Sequence, residues 1–226
     1  MIVFTRRDLP YIRPALRERL GRGEIGIFPT DGGYALMGNA LSAEARRRLG
    51  RAAPPVMVPH SLEWTRLVVA VEHRAGLDEL VSRHAGTACL VLRHSGSEAP
   101  LPRELTPSGR VTLRFPRHWV RDLAGELTFP LLCLPVPGGM TRLEEVPADV
   151  ARRIDFVVYE GPRPAVAPAL VPLDAPPGGP APCQAPPTSA PSRTPRPSGP
   201  GRSAARPGTS RSSGRSRASR SRPARS

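Results

Sequence analysis

The chain contains no lysine and one asparagine, Asn39, in 226 residues; all 33 of its basic side chains are arginine. Without lysine there is no Walker A loop, whose lysine reaches the outer phosphates of a nucleotide. Cysteine is scarce as well. Cys89, Cys133 and Cys183 are odd in number, far apart and without a CxxC pair. That pattern argues against a disulfide framework or a zinc site and suits a reducing compartment. No long apolar run is present. The stretch 127–136 is interrupted by proline and falls far short of the roughly 20 residues a membrane span needs. Arg6, Arg7 and Asp8 interrupt the apolar opening Met1-Ile2-Val3-Phe4, so no secretory signal is expected. These absences predict a soluble cytoplasmic protein with no membrane partner. Neither a GxSxG elbow nor an HExxH helix occurs. His60, His73, His84, His94 and His118 lack ligand spacing, so surface or packing roles are expected of them rather than metal binding.

Charge is abundant but uneven. The net charge is +14, yet ten of the 33 arginines lie beyond Ala175 and all 19 acids lie before it, leaving the earlier residues at +4. The chain therefore divides into a mildly basic domain, 1–174, and a tail, 175–226, built almost wholly of Pro, Ala, Gly, Ser, Thr and Arg. Such a tail cannot bury enough surface to offset its ordering entropy, and disorder is expected. Its arginines would attract RNA without sequence preference. The same residues are what GC-rich codons supply, so a linker or an out-of-frame extension explains the composition equally well.

Within 1–174, short apolar runs alternate with helical periodicity. Strands are expected at 2–4, 25–28, 34–37, 54–59, 88–92, 111–115, 130–134 and 154–159, with helices at 10–20, 42–49, 77–84, 119–124 and 144–153. This is the pattern of an α/β domain around one sheet. Gly21-Arg22-Gly23-Glu24-Ile25-Gly26 formally matches GxGxxG, but a helix precedes it and a strand follows, the reverse of a dinucleotide site. It reads as a helix stop.

The most informative segment is Gly26-Ile27-Phe28-Pro29-Thr30-Asp31-Gly32-Gly33-Tyr34-Ala35-Leu36. Two apolar strands flank a polar turn whose glycines permit a close approach by a ligand or another backbone. Thr30, Asp31 and Tyr34 place donors and acceptors at its rim. Arg114 ends an apolar strand, where it either faces solvent on an edge strand or is buried and needs an acid or an anion. Arg46, Arg47, Arg48 and Arg51 form a cluster that reads as a solvated helix face or a phosphate contact. Glu144 and Glu145 at a helix start need no catalytic explanation.

Pro29-Thr30-Asp31-Gly32-Gly33-Tyr34-Ala35-Leu36 resembles the Pro-Thr-Asp/Glu-x-x-Tyr-Gly/Ala-Leu motif of the YrdC/YciO family, and its Gly-Tyr-Ala-Leu form is closest to the YciO branch. This family includes the threonylcarbamoyl-AMP synthases of tRNA modification. His84-Ala85-Gly86-Thr87, Leu113-Arg114-Phe115-Pro116-Arg117-His118 and Ile154-Asp155-Phe156-Val157-Val158 resemble later family segments in order and spacing. The resemblance implies a YrdC-like twisted mixed sheet flanked by helices, with a concave basic groove. In synthases the groove holds ATP, threonine and bicarbonate, so that ATP, with or without magnesium, is the cofactor implied if the domain is active, and the domain is also described as binding double-stranded RNA. The resemblance places Thr30, Tyr34, Arg51 and Arg114 as ligand-binding residues. The sequence also departs from the synthases. Leu49-Gly50-Arg51 stands for Lys-x-Arg, and Cys133-Leu134-Pro135-Val136-Pro137 lacks Ser-x-Asn. The expectation is therefore a domain that binds nucleotide or RNA, with synthase chemistry weak or lost. Its alternatives are an active synthase and an RNA-interacting protein acting through its tail.

Overall fold

The computed structural model describes residues 1–50, 54–96 and 100–173. All of these lie in one compact unit, Met1–Gly179. Arg51 and the expected tail, 175–226, lie outside the described residues.

The first half of the chain forms β1 (Ile2–Thr5), α1 (Leu9–Gly21), β2 (Gly26–Thr30), β3 (Gly33–Asn39), α2 (Ala43–Leu49), β4 (Val56–Val58), α3 (Leu62–Val68), α4 (Val71–Arg74), α5 (Leu77–His84) and β5 (Ala88–Arg93). The second half adds β6 (Arg110–Arg114), α6 (Val120–Gly125), β7 (Leu131–Pro135), α7 (Ala148–Ala151), β8 (Phe156–Tyr159) and β9 (Ala169–Pro172). The strands make one mixed sheet in the order β1-β8-β2-β3-β7-β4-β6-β5-β9. Leu16 and Leu20 of α1 join Val120 and Leu123 of α6 in the core on one face. Ala45 and Leu49 of α2, Val68 of α3, and Leu77 and Val81 of α5 fill the other. With both faces covered, β2 is buried along its whole length. Among the described residues no helix is long and apolar enough to cross a membrane.

The glycine series between α1 and β2 is a helix stop, as its context predicts. Gly21 is the last helical residue, and Gly23 takes φ +82° to reverse the chain. Gly26 is required by packing: a Cβ there would lie 2.2 Å from the Phe156 ring on β8. Phe156 packs edge-on against Phe28 at 5.5 Å, so the ring has little freedom to retreat.

Three parts of the fold differ from the sequence reading. The helix expected over 144–153 is broken into a 3-10 turn, Leu143–Glu145, and the four-residue α7. Pro147 has no N–H to give, and Val146 before it is held out of the helical region at ψ 116°. α3 and α4 fall in a stretch with no assigned element, although Ser61 caps α3 by accepting from the Trp64 N–H at 3.0 Å. β9 is the third. Its residues Ala-Leu-Val-Pro are short and end in proline, which an edge strand tolerates.

Gly26→Ala is expected to destabilise the domain by about 1–3 kcal/mol through overpacking. Gly21→Ala, with nothing within 4 Å of the added carbon, should leave denaturant unfolding unchanged or shift it towards higher stability.

Candidate functional site

The turn between β2 and β3 is closed by its own threonine. The Thr30 hydroxyl donates to the Gly33 carbonyl at 3.1 Å and accepts from the Gly32 N–H at 3.3 Å. Asp31 reaches outward and accepts from the Arg117 N–H at 3.1 Å, fastening the turn to the segment that follows β6. Gly33 has φ +117°, a conformation a side chain would resist.

A strap of residues 160–168 crosses this turn. The Val166 N–H donates to the Gly32 carbonyl at 2.8 Å. A Cβ on Gly32 would sit 2.4 Å from the Val166 carbonyl oxygen, and one on Gly33 would sit 2.9 Å from that of Pro164. Both glycines thus serve the approach of another backbone, one of the two uses the sequence allowed. Tyr34 meets the same strap. Its hydroxyl donates to the Gly161 carbonyl at 2.7 Å and accepts from the Glu160 N–H at 3.0 Å, while its ring stacks on Tyr159 at 5.7 Å.

The strap is anchored by a carboxylate that sequence reasoning passed over. Glu160, its side chain 4% exposed, accepts from Trp119 Nε1 at 2.6 Å, lies 3.0 Å from His118 Nε2 and pairs with Arg163. Arg163 also donates to the Thr30 carbonyl at 3.1 Å. Burial alone would raise the Glu160 carboxyl, but the bonds from Trp119 and His118 and the charge of Arg163 together hold it below its ordinary value of 4.5. Burial likewise pushes His118 below 6.5, with Glu160 opposing. The available signal was Glu160-Gly161-Pro162-Arg163, an acid and a base around a Gly-Pro turn directly after a strand.

Behind the turn lies a cavity of about 500 Å³, lined by Thr30, Tyr34 and Arg114 among other residues. Three of the four expected ligand residues therefore meet around one space. The fourth, Arg51, is outside the described residues, although Pro54 lines the wall. Arg114 lies on β6 between β4 and β5 and is 5% exposed, so the solvent-facing reading of this residue does not hold. Its Nε is buried without a partner, and no acid or acceptor engages its guanidinium among the described residues. One terminal nitrogen stands near the turn, 3.2 Å from where a Gly32 Cβ would be.

The remaining wall is apolar. Ala35, Val56, Val136, Met140 and Leu170 contribute to it, and no acid does among the described residues. Cys89 and Cys133 also line it as free thiols. Burial raises Cys89 despite Arg114 and pushes Cys133 up to about 12. Neither is a thiolate nucleophile near neutral pH. The α2 arginines are engaged elsewhere. Arg46 bonds Glu104 and the Ala40 carbonyl, Arg47 pairs with Glu44, and Arg48 bonds Asp155 and the Arg153 carbonyl. None of the three lines the cavity. Among the described residues no three His, Cys, Asp or Glu side chains gather as metal ligands.

A nine-stranded mixed sheet flanked by helices, with an arginine-bearing cavity behind a Pro-Thr-Asp turn, defines the fold as mixed α/β. The profile of the Sua5/YciO/YrdC family, described as "Telomere recombination", matches residues 18–169, and the chain belongs to that family. Among solved structures, a doubly substituted P. abyssi Sua5 is 25% identical with TM-score 0.63, covering 76% of this chain and 56% of that one. P. abyssi Sua5 complexed with L-threonine is 26% identical with TM-score 0.62, covering 76% and 54%. E. coli YciO, 19% identical with TM-score 0.60 over 76% and 89%, shares the fold. The chain thus spans about half the length of the two Sua5 chains. No curated protein matches it in sequence.

Breaking the buried network by Glu160→Gln should cost about 3 kcal/mol, as removing one partner of a buried ion pair does. His118 is lowered in the fold, so its stabilising contribution is complete above 6.5 and declines as pH falls below that value. Glu160, also lowered, loses its contribution as pH falls below 4.5. Melting temperature should fall on acidification through both windows, and Glu160→Gln should flatten the lower one.

Proposed function

We propose that this domain binds an anionic small molecule of the nucleotide or threonine type in the cavity at Arg114, and performs threonylcarbamoyl-AMP synthesis weakly or not at all. The observation that carries the reading is a buried arginine, Arg114, whose Nε is sealed from water and whose guanidinium has no partner among the described residues. Burying a charge is costly unless something answers it, and an anion in the cavity does so. Threonine comes into question because a Sua5 relative is complexed with it, and ATP through the synthases of the family. Two free thiols, Cys89 and Cys133, fit action in the cytoplasm.

The case against efficient synthesis is chemical. Transfer at a triphosphate depends on preorganised cations and donors around developing charge. Here Leu49 stands in the place of the lysine, and Ser-x-Asn is missing. The Thr30 and Tyr34 hydroxyls are engaged by backbone. Every 1.4 kcal/mol of lost transition-state stabilisation costs about tenfold in rate. With no carboxylate among the described lining residues, the wall offers no magnesium site, and that ion would enter on the nucleotide's phosphates. Pyrophosphate release from ATP with threonine and bicarbonate is expected to be no faster than in Thr30→Ala. A faster rate that requires all three substrates would establish the active-synthase alternative.

A second reading, RNA binding, rests on a different place. Arg6, Arg13, Arg117 and Arg163 surround Trp119 and Glu160 in an open pocket of about 610 Å³, a cationic surface suited to a phosphate backbone. Double-stranded RNA binding by the full chain should weaken with salt and fall at least threefold in Arg6→Ala/Arg117→Ala. Retention by that variant, with loss on deletion of 175–226, would assign the RNA to the tail.

A further inference from the structure

The carboxylate that anchors the strap is claimed twice at one oxygen. His118 Nε2 lies 3.0 Å from Glu160 Oε2, and Arg163 pairs with that same oxygen. The Arg163 nitrogen that does so stands 3.0 Å from His118 Nε2. The other oxygen, Oε1, is taken by Trp119 Nε1 at 2.6 Å. A guanidinium nitrogen can only donate, so its place beside the ring is satisfied by a bare Nε2, with the ring hydrogen on Nδ1. In that neutral state Arg163 serves His118 and Glu160 together.

Protonation reverses the arrangement. The added proton sits on Nε2, which then donates to Glu160 and no longer accepts from Arg163. Two cations are left 3.0 Å apart on one carboxylate oxygen. Their surroundings add like charge: Arg6 before α1, Arg13 on it and Arg117 beside His118 line the same pocket. Asp31 on the turn opposes them, while Arg121 and Asp122 of α6 line other cavities. Of the three competing groups, Arg163 is the most exposed, its side chain at 27% against 14% for His118 and 4% for Glu160. Water receives its charge at the least cost, so Arg163 is the group that leaves.

Arg163 also holds the turn, through the Thr30 carbonyl at 3.1 Å. Its backbone N–H stays on the Thr141 carbonyl at 3.1 Å, so release frees the side chain and not the chain around it. The part that slackens is 165–168, which forms part of the cavity wall and is then left with the Val166 N–H on the Gly32 carbonyl at 2.8 Å. Val166 itself is 60% exposed, so packing adds little to that bond.

We propose that His118 is a proton-operated latch on the cavity wall: neutral, it keeps Arg163 on the Thr30 carbonyl, and protonated, it displaces Arg163 and slackens 165–168. The latch is independent of which anion Arg114 takes. Burial holds the His118 ring below its ordinary value of 6.5. The latch is therefore closed at neutral pH and loosens as pH falls below 6.5.

Amide exchange of the full chain, followed residue by residue and corrected for its intrinsic pH dependence, tests this. Protection of the Val166 N–H should fall about tenfold or more between about pH 7.5 and about pH 5, as the loss of one charge-assisted hydrogen bond allows. In His118→Gln, whose side chain stays neutral, the fall should be less than about twofold. Exchange at Val166 should be insensitive to dilute urea, the mark of a local opening, while that of Met37 inside β3 accelerates. In Arg163→Gln, which removes the competing cation, the His118 ring should bind its proton about threefold more tightly or better. Constant protection at Val166, an equal fall in a folded His118→Gln, or acceleration by urea in step with Met37 would each overturn the latch. So would an unchanged proton affinity of the ring in Arg163→Gln.

Discussion

A carboxylate almost sealed from water holds this site together. Glu160 directly follows the strand β8, and its three side-chain partners come from the segment after β6 and from the strap itself. Its own N–H reaches Tyr34 on β3. Separate stretches of chain are thereby fixed to one point, in surroundings where a charge without partners would be intolerable. The approach of the strap to Gly32 and Gly33 follows from this anchor. The Val166 N–H on the Gly32 carbonyl and Arg163 on the Thr30 carbonyl then hold the strap against the turn itself.

The same arrangement separates two kinds of arginine. Arg163 is answered within the protein, and so are the three arginines of α2. Arg114 is not answered among the described residues, though it is more buried than any of them. In a protein without lysine every cation is a planar fork, and a fork left open in an apolar cavity expresses a geometric preference as well as a charge. Membership of the Sua5/YciO/YrdC family supplies the scaffold. The scaffold does not by itself fix what is bound, since chemistry resides in the site and not in the fold.

Much of this was legible in the sequence where a local signal existed. The Pro29-Thr30-Asp31-Gly32-Gly33 turn is punctuated by residues whose backbone preferences are strong, and Arg114 stands out because Val111-Thr112-Leu113 before it is plainly a buried strand. The strap offered no such signal. Pro162, Pro164, Ala165 and Ala167 have no periodicity, and the contacts of Pro164, Ala165 and Val166 reach back to Gly32 and Gly33 across most of the domain. Pattern reading is blind to pairing at that separation. It also treats a hydroxyl as available wherever it is exposed in the linear sequence. Only the folded chain shows the hydroxyls of Thr30 and Tyr34 bonded to backbone. Pro147 was visible throughout, yet the helical spacing around it outweighed the missing N–H in the reading.

The sheet order gives the cavity a history. β1 and β9, the first and last strands among the described residues, form the two opposite edges of the sheet, and β9 follows immediately after the strap. During synthesis every strand of the cavity floor emerges before its roof does, and β9 then finds β5 only through a long-range parallel pairing of the slow kind. The wall that Ala165, Val166 and Leu170 contribute beside Arg114 is therefore complete only once the last described strand has joined the sheet.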